Sequence, residues 1–161
     1  MGSRSPPQHP SGADVYRKED SHQYYNGLVD FHDYRKQQAE WLKADLAGDP
    51  SRNAKFRIVI SHIPPRGAKG FAIQDVCENF EPLINQAGVD LWLSGHTHRF
   101  QRVDGAPGQN TYPLIIGSTD TITRVDVSVA GLSVTIVRLS GEVLLPPLQL
   151  ERRRSQRQPA E

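Results

Sequence analysis

Two short apolar runs constrain this chain more than any other feature: FRIVIS at residues 56–61 and VDLWLS at residues 89–94. Both are β-branched or aromatic-rich and have the character of buried strands. Between them, Ile73, Val76, Cys77, Phe80, Leu83, Ile84 and Ala87 keep helical spacing. Pro82 interrupts that pattern. It therefore predicts one short helix ending near Asn79 and a second with Pro82 in its first turn and Gly88 after its end. Upstream, Asp33 reads as the N-cap of a helix over Tyr34 to Leu46, with Tyr34, Gln38, Trp41, Leu42 and Leu46 on one stripe and Gly48 and Pro50 beyond its end. Downstream, YPLIIG at residues 112–117 reads as a third strand. Val125, Val127 and Val129 then alternate toward a turn at Ala130-Gly131, and Leu132, Val134 and Ile136 alternate back. Ser140-Gly141 predicts one more turn, into a strand over Glu142 to Leu145. The pattern is α/β (α+β) and finishes in antiparallel strands.

Composition narrows the classes of function. Of 161 residues, 37% are apolar and 23% charged, a globular composition on the polar side. The net charge of +1 argues against broad electrostatic binding of nucleic acid or an anionic membrane. A single cysteine, Cys77, excludes an internal disulfide framework and reads as core. No apolar run approaches the roughly 20 residues of a membrane span. The first residues hold no apolar stretch of signal-peptide type, which leaves the compartment unassigned and a leader on a longer parent chain open. Residues 1–22 are expected to be a flexible leader, 23–150 the folded domain, and 151–161, with Arg152, Arg153, Arg154 and Arg157, a solvated basic tail.

The chemistry gathers at strand ends. Of six histidines, His62 directly follows the first apolar run, and His96 and His98 follow the second within Gly95-His96-Thr97-His98. Open α/β sheets place ligands at the carboxyl ends of their strands. Neutral imidazole is the commonest metal ligand among side chains. Two histidines separated by one residue can project to one side of an extended segment, Gly95 leaves room for close backbone approach, and Pro64 and Pro65 stiffen the loop after His62. His62, His96 and His98 are therefore the candidate metal ligands.

The segment from Asp30 to Ser118 resembles the carboxyl-terminal half of a calcineurin-like metallophosphoesterase, the superfamily that includes the purple acid phosphatases. The residues that carry the likeness are Gln38-Ala39-Glu40-Trp41-Leu42, Val59-Ile60-Ser61-His62-Ile63-Pro64-Pro65, Gly88 through Arg99, and Tyr112 through Ser118. The resemblance implies part of a four-layer α/β/β/α sandwich. It also implies two divalent or trivalent metal ions (iron, manganese or zinc), with His62 and His96 on the second and His98 on the first. The implied activity is hydrolysis of a phosphoester by metal-activated water.

The departures from that pattern bear on function. The family's amino-terminal Asp-x-His and Gly-Asp strand ends and its Gly-Asn-His segment are not matched; Asp30-Phe31-His32 and Gly48-Asp49 agree in letters but flank a helix instead of following buried strands. The chain is thus expected to be a carboxyl-terminal portion of the fold, with unpaired strand edges that lead to marginal stability or to self-association. Two further readings stand beside a dinuclear hydrolase. One is a non-catalytic remnant or interaction module of the same fold. The other is a mononuclear zinc site, which requires His62, His96 and His98 to converge on one point. Arg99 and Arg102 are either phosphate contacts or ordinary strand charges, and Trp41 and Trp92 are expected to be packing residues.

Overall fold

A computed structural model describes residues 31–106 and 109–151. Helix α1 (Phe31–Ala47) runs into a one-turn helix α2 (Asp49–Asn53), and strand β1 (Ile58–Ile60) follows. Helices α3 (Phe71–Asn79) and α4 (Glu81–Ala87) connect β1 to β2 (Leu91–Ser94). Then come β3 (Gln101–Val103), β4 (Leu114–Ile116), β5 (Thr121–Val127), β6 (Gly131–Arg138) and β7 (Leu148–Glu151).

The first sheet has the order β1-β2-β4-β3 and the second β5-β6-β7. β1, β2 and β4 are parallel, and β3 closes the first sheet antiparallel to β4. The second sheet is antiparallel throughout. The apolar residues alternate between two cores. Trp92, Leu114 and Ile116 face the helices, where Val76 and Ile84 pack with Leu42 and Leu46. Leu91 and Ile115 face the second sheet and meet Val134 and Ile136. The described residues thus form three layers: helices, mixed sheet and antiparallel sheet. A second helical layer is not among them, and the fold class is the expected α+β.

Pro82 lies in the first turn of α4, and Gly88 caps that helix at φ 64°, the left-handed conformation that glycine adopts without strain. Other expectations need correction. Helix α1 starts at Phe31, so Asp33 sits inside its first turn, where a carboxylate favours the helix dipole, and is not the N-cap. The face of α1 turned inward is Arg35, Ala39, Leu42 and Leu46; Tyr34 and Trp41 are 61% and 63% exposed. The last strand among the described residues is β7, which does not lie over Glu142 to Leu145. Val143 makes only an isolated bridge to Val137 and is half exposed, while Leu148 and Leu150, beyond Pro146-Pro147, reach the core. Val129 lies in the exposed turn beyond β5. No described helix is long and apolar enough to cross a membrane. The leader and the four tail arginines lie outside the described residues.

Candidate metal centre

Parallel pairing brings the carboxyl ends of β1 and β2 side by side. The Ser61 N–H donates to the Leu93 carbonyl at 3.0 Å, and the Gly95 N–H donates to the His62 carbonyl at 3.0 Å. These bonds extend the ladder past both strands into the segments that carry histidine. The Trp92 indole N–H donates to Ser61 Oγ at 2.8 Å, and that hydroxyl donates to the Ile63 carbonyl at 2.8 Å. The backbone on either side of His62 is therefore held by a buried aromatic residue from the neighbouring strand.

The result is one close imidazole pair. His96 Nδ1 lies 3.3 Å from His62 Nε2, with the rings edge to face at 85° and centroids 5.1 Å apart. Two nitrogens bound to one tetrahedral cation at about 2.0–2.1 Å are themselves about 3.3–3.4 Å apart. The observed separation suits a shared cation. It equally suits an N–H···N hydrogen bond between a donor and an acceptor tautomer, which a cation would displace.

His98 is placed differently. The Thr97 N–H donates to the Gly95 carbonyl at 2.8 Å, closing a three-residue turn around His96 at φ 69°, and His98 follows at φ 57°. Left-handed backbone at a non-glycine residue stores strain, and such residues cluster at functional sites. This turn ends the extended conformation that would have sent both imidazoles to one side. No group of three or more His, Cys, Asp or Glu among the described residues is gathered closely enough to hold a metal. Among the described residues the mononuclear three-histidine site is therefore not assembled: His62 and His96 meet, and His98 is exposed.

The loop after His62 is fixed by residues that the sequence analysis did not single out. Arg66 forks onto Glu81, with Nε 2.8 Å from Oε1 and Nη2 2.9 Å from Oε2. The Tyr112 hydroxyl donates to Oε1 at 2.9 Å, and the Cys77 thiol donates to Oε2 at 3.2 Å. Glu81 is 3% exposed. Burial, reinforced by the bond to Glu81, pushes the Tyr112 hydroxyl far above its ordinary range. Burial likewise raises the Cys77 thiol, and the bond to Glu81 raises the Arg66 guanidinium. One residue on, Gly67 sits at φ 92° with its carbonyl accepting from Gln101 Nε2 at 2.8 Å. A side chain there would run into Ile116 and Gln101. Gly95 is less confined: an added Cβ would come no nearer than 4.0 Å to His62 O. The loop thus depends on Gly67 for its close approach, and Gly95 is not required for space. Nothing in the sequence distinguished Glu81 from an ordinary first-turn carboxylate before Pro82.

Arg102 pairs with Asp104 at 2.7 Å, Thr97 Oγ1 donates to the Arg99 carbonyl at 3.0 Å, and Trp92 is buried. Gly48 caps α2, and Asp49 pairs with Arg52. The backbone of His32 lies within α1, and Asp30 lies outside the described residues.

Parallel strands that deliver histidines from adjacent carboxyl ends, backed by a second sheet, define a metallophosphoesterase-type scaffold. The calcineurin-like phosphoesterase profile matches residues 10–100, more than half of the chain, and the chain belongs to that family. It is 31% identical to purple acid phosphatase 18 of Arabidopsis thaliana over 74 residues, covering 44% of this chain and 17% of that protein. It is 37% identical to an acid phosphatase of Aspergillus ficuum over 87 residues, covering 53% and 12% respectively. A third relative, acid phosphatase A of Cryphonectria parasitica, is 38% identical over 80 residues, covering 48% and 16%. The matches thus span less than a fifth of each relative's length. Among solved structures, GAP50, the anchor in the inner membrane complex of Plasmodium, superimposes with a TM-score of 0.56 at 18% identity. That match covers 75% of this chain and 44% of GAP50 and speaks for the fold alone.

Proposed function

We propose that this chain carries the histidine side of the metal centre of a phosphoester hydrolase. His62 and His96 are ligands of one cation, and His98 is a ligand of a neighbouring one. The observation that carries this reading is the 3.3 Å approach of His62 Nε2 to His96 Nδ1 at adjacent parallel strand ends. Iron, manganese and zinc all accept imidazole. Bound there, such ions would neutralise charge on the phosphoryl oxygens and acidify water for attack.

The chain's own residues hold the imidazoles in place before any ion arrives. Gly95 and Trp92 fix the backbone on either side of His62, and Arg66, held by Glu81, fixes the loop beyond it. Three neutral imidazoles bring no negative charge, so two neighbouring cations also need carboxylates from outside this set. The test is hydrolysis of para-nitrophenyl phosphate and of bis-para-nitrophenyl phosphate with added iron, manganese or zinc. The reading expects metal-dependent turnover that His62→Ala and His96→Ala each abolish. Turnover that persists without metal, or in both variants, would refute it.

A second reading is a non-catalytic module of the same fold. It is favoured by the exposed apolar side chains of Ile58 and Ile60 on β1. It expects no metal-dependent hydrolysis.

A further inference from the structure

We infer that Gln101 is a positioning residue for the histidine-bearing segments: its side-chain amide closes a second clasp between them and so fixes how the imidazoles stand to one another. For what those imidazoles bind, the inference rests on the metal reading above. The clasp itself belongs to the metal-free chain.

Two segments carry the three histidines, and they are bonded to each other at both ends. At the near end, the Gly95 N–H donates to the His62 carbonyl at 3.0 Å. At the far end, Gln101 Nε2 donates to the Gly67 carbonyl at 2.8 Å. The backbone from His62 to Gly67 and from Gly95 to Gln101 is thus closed into a ring by these two bonds. His62, His96 and His98 all lie on that ring.

Each side of the far clasp is anchored. Arg66, next to Gly67, is forked onto buried Glu81. Gln101 opens β3 and pairs with Ile116 of β4. Gly67 is shaped for the contact: at φ 92° it carries no side chain, and an added Cβ would collide with Ile116 and come within 2.9 Å of Gln101 Oε1. The segment between Gly95 and Gln101 needs both ends held. His96 and His98 are left-handed at φ 69° and 57°. The bonds of Thr97, from its N–H to the Gly95 carbonyl and from Oγ1 to the Arg99 carbonyl, are local to the segment. Left-handed conformations at non-glycine residues persist only where the surrounding structure over-determines them. The Gly95 bond supplies that constraint before His96, and the Gln101 amide supplies it after His98.

The molecule contains its own control. Gln149 Nε2 donates to Ser133 Oγ at 2.9 Å on the second sheet, an exposed glutamine amide bond like that of Gln101 but away from the histidines. Gln101→Met and Gln149→Met each remove one such bond at matched side-chain length, and Gln101→Ala serves if methionine disturbs β3. Three readouts on the nitrogen-labelled full chain test the inference: hydrogen exchange at the Gly95 amide, the backbone resonances of His96 and His98 without metal, and zinc affinity. In Gln101→Met, Gly95 exchange should quicken by about fivefold, the worth of one ordinary hydrogen bond, the His96 and His98 resonances should move, and zinc should bind about fivefold more weakly. Gln149→Met should lower the urea midpoint as much as Gln101→Met and change none of the three. Unmoved Gly95 exchange and histidine resonances in both Gln101 variants would overturn the clasp. The same changes in Gln149→Met would overturn it too, as an effect of general stability. Zinc that binds wild type and Gln101→Met equally well would overturn the positioning role alone. A wild-type chain that takes up no zinc would refute the metal reading and, with it, any role of Gln101 toward a metal.

Discussion

Replacing Glu81 with alanine removes the acceptor shared by Arg66, Tyr112 and Cys77, and the structure sets the size of the effect. Tyr112 is fully buried, so its hydroxyl cannot turn to water, and an unsatisfied buried hydroxyl costs about 1–3 kcal/mol. Arg66 is 34% exposed and can reach solvent, so its lost fork falls well below the 3–5 kcal/mol of a fully buried broken pair, at about 1–2 kcal/mol. The combined destabilisation is about 3 kcal/mol. Urea unfolding followed by far-ultraviolet circular dichroism measures it as a lower midpoint at unchanged slope. Tyr112→Phe alone leaves the Arg66 fork intact and should cost about 1 kcal/mol. In the Tyr112→Phe background the Glu81 change should cost about 1–2 kcal/mol less than in wild type, because no hydroxyl is stranded. A Glu81→Ala loss below about 1 kcal/mol, or additivity within about 0.5 kcal/mol, would refute the shared-acceptor reasoning.

Further outcomes follow from the same geometry. Tyr112 and Cys77 keep their protons in the folded state at pH values where the unfolded chain begins to lose them, at ordinary values of 10.0 and 9.0. Stability is therefore complete below about pH 9 and falls as pH rises beyond it, and Tyr112→Phe should flatten the decline above pH 10 in urea melts run at several pH values. His98→Gly relieves left-handed strain of about 1–2 kcal/mol against a glycine entropy cost of about 0.5–1 kcal/mol, for a net gain near 1 kcal/mol in thermal unfolding. The same variant should hold less metal if His98 is a ligand; a loss of stability would show that the backbone strain was misread. Gly67→Ala combines φ 92° with a collision at Ile116 and should cost about 2 kcal/mol in the same assay, whereas Gly95→Ala should cost less than half as much.

Particular residues show where sequence reasoning reached and where it stopped. Pro82 and Gly88 marked the bounds of α4 because their backbone constraints act locally. The apolar runs before His62 and Gly95-His96 announced two strand ends because buried parallel strands read as continuous apolar stretches. β3 was invisible: Gln101, Arg102 and Val103 carry no strand pattern, and β4 alone makes them a strand. The stripe on α1 was misplaced because Trp41 lines an open groove beside β1 and Tyr34 stays exposed: tertiary context, not helical spacing, decides burial. The site was legible in part. The pairing of His62 with His96 follows from adjacent strand ends. The left-handed backbone at His96 and His98 is a feature that spacing alone does not reveal. Glu81 escaped notice because its partners Arg66 and Tyr112 are far away in sequence and meet it only through the fold.

The central claim is that His62 and His96 share one cation. Titrating zinc into the nitrogen-labelled chain while following the imidazole nitrogen resonances tests it most directly. The account predicts that the His62 and His96 ring nitrogens shift together along one binding curve, and that His62→Ala or His96→Ala weakens binding by about tenfold or more. Ring nitrogens that stay unmoved at excess zinc, or alanine variants that bind as tightly as wild type, would contradict it.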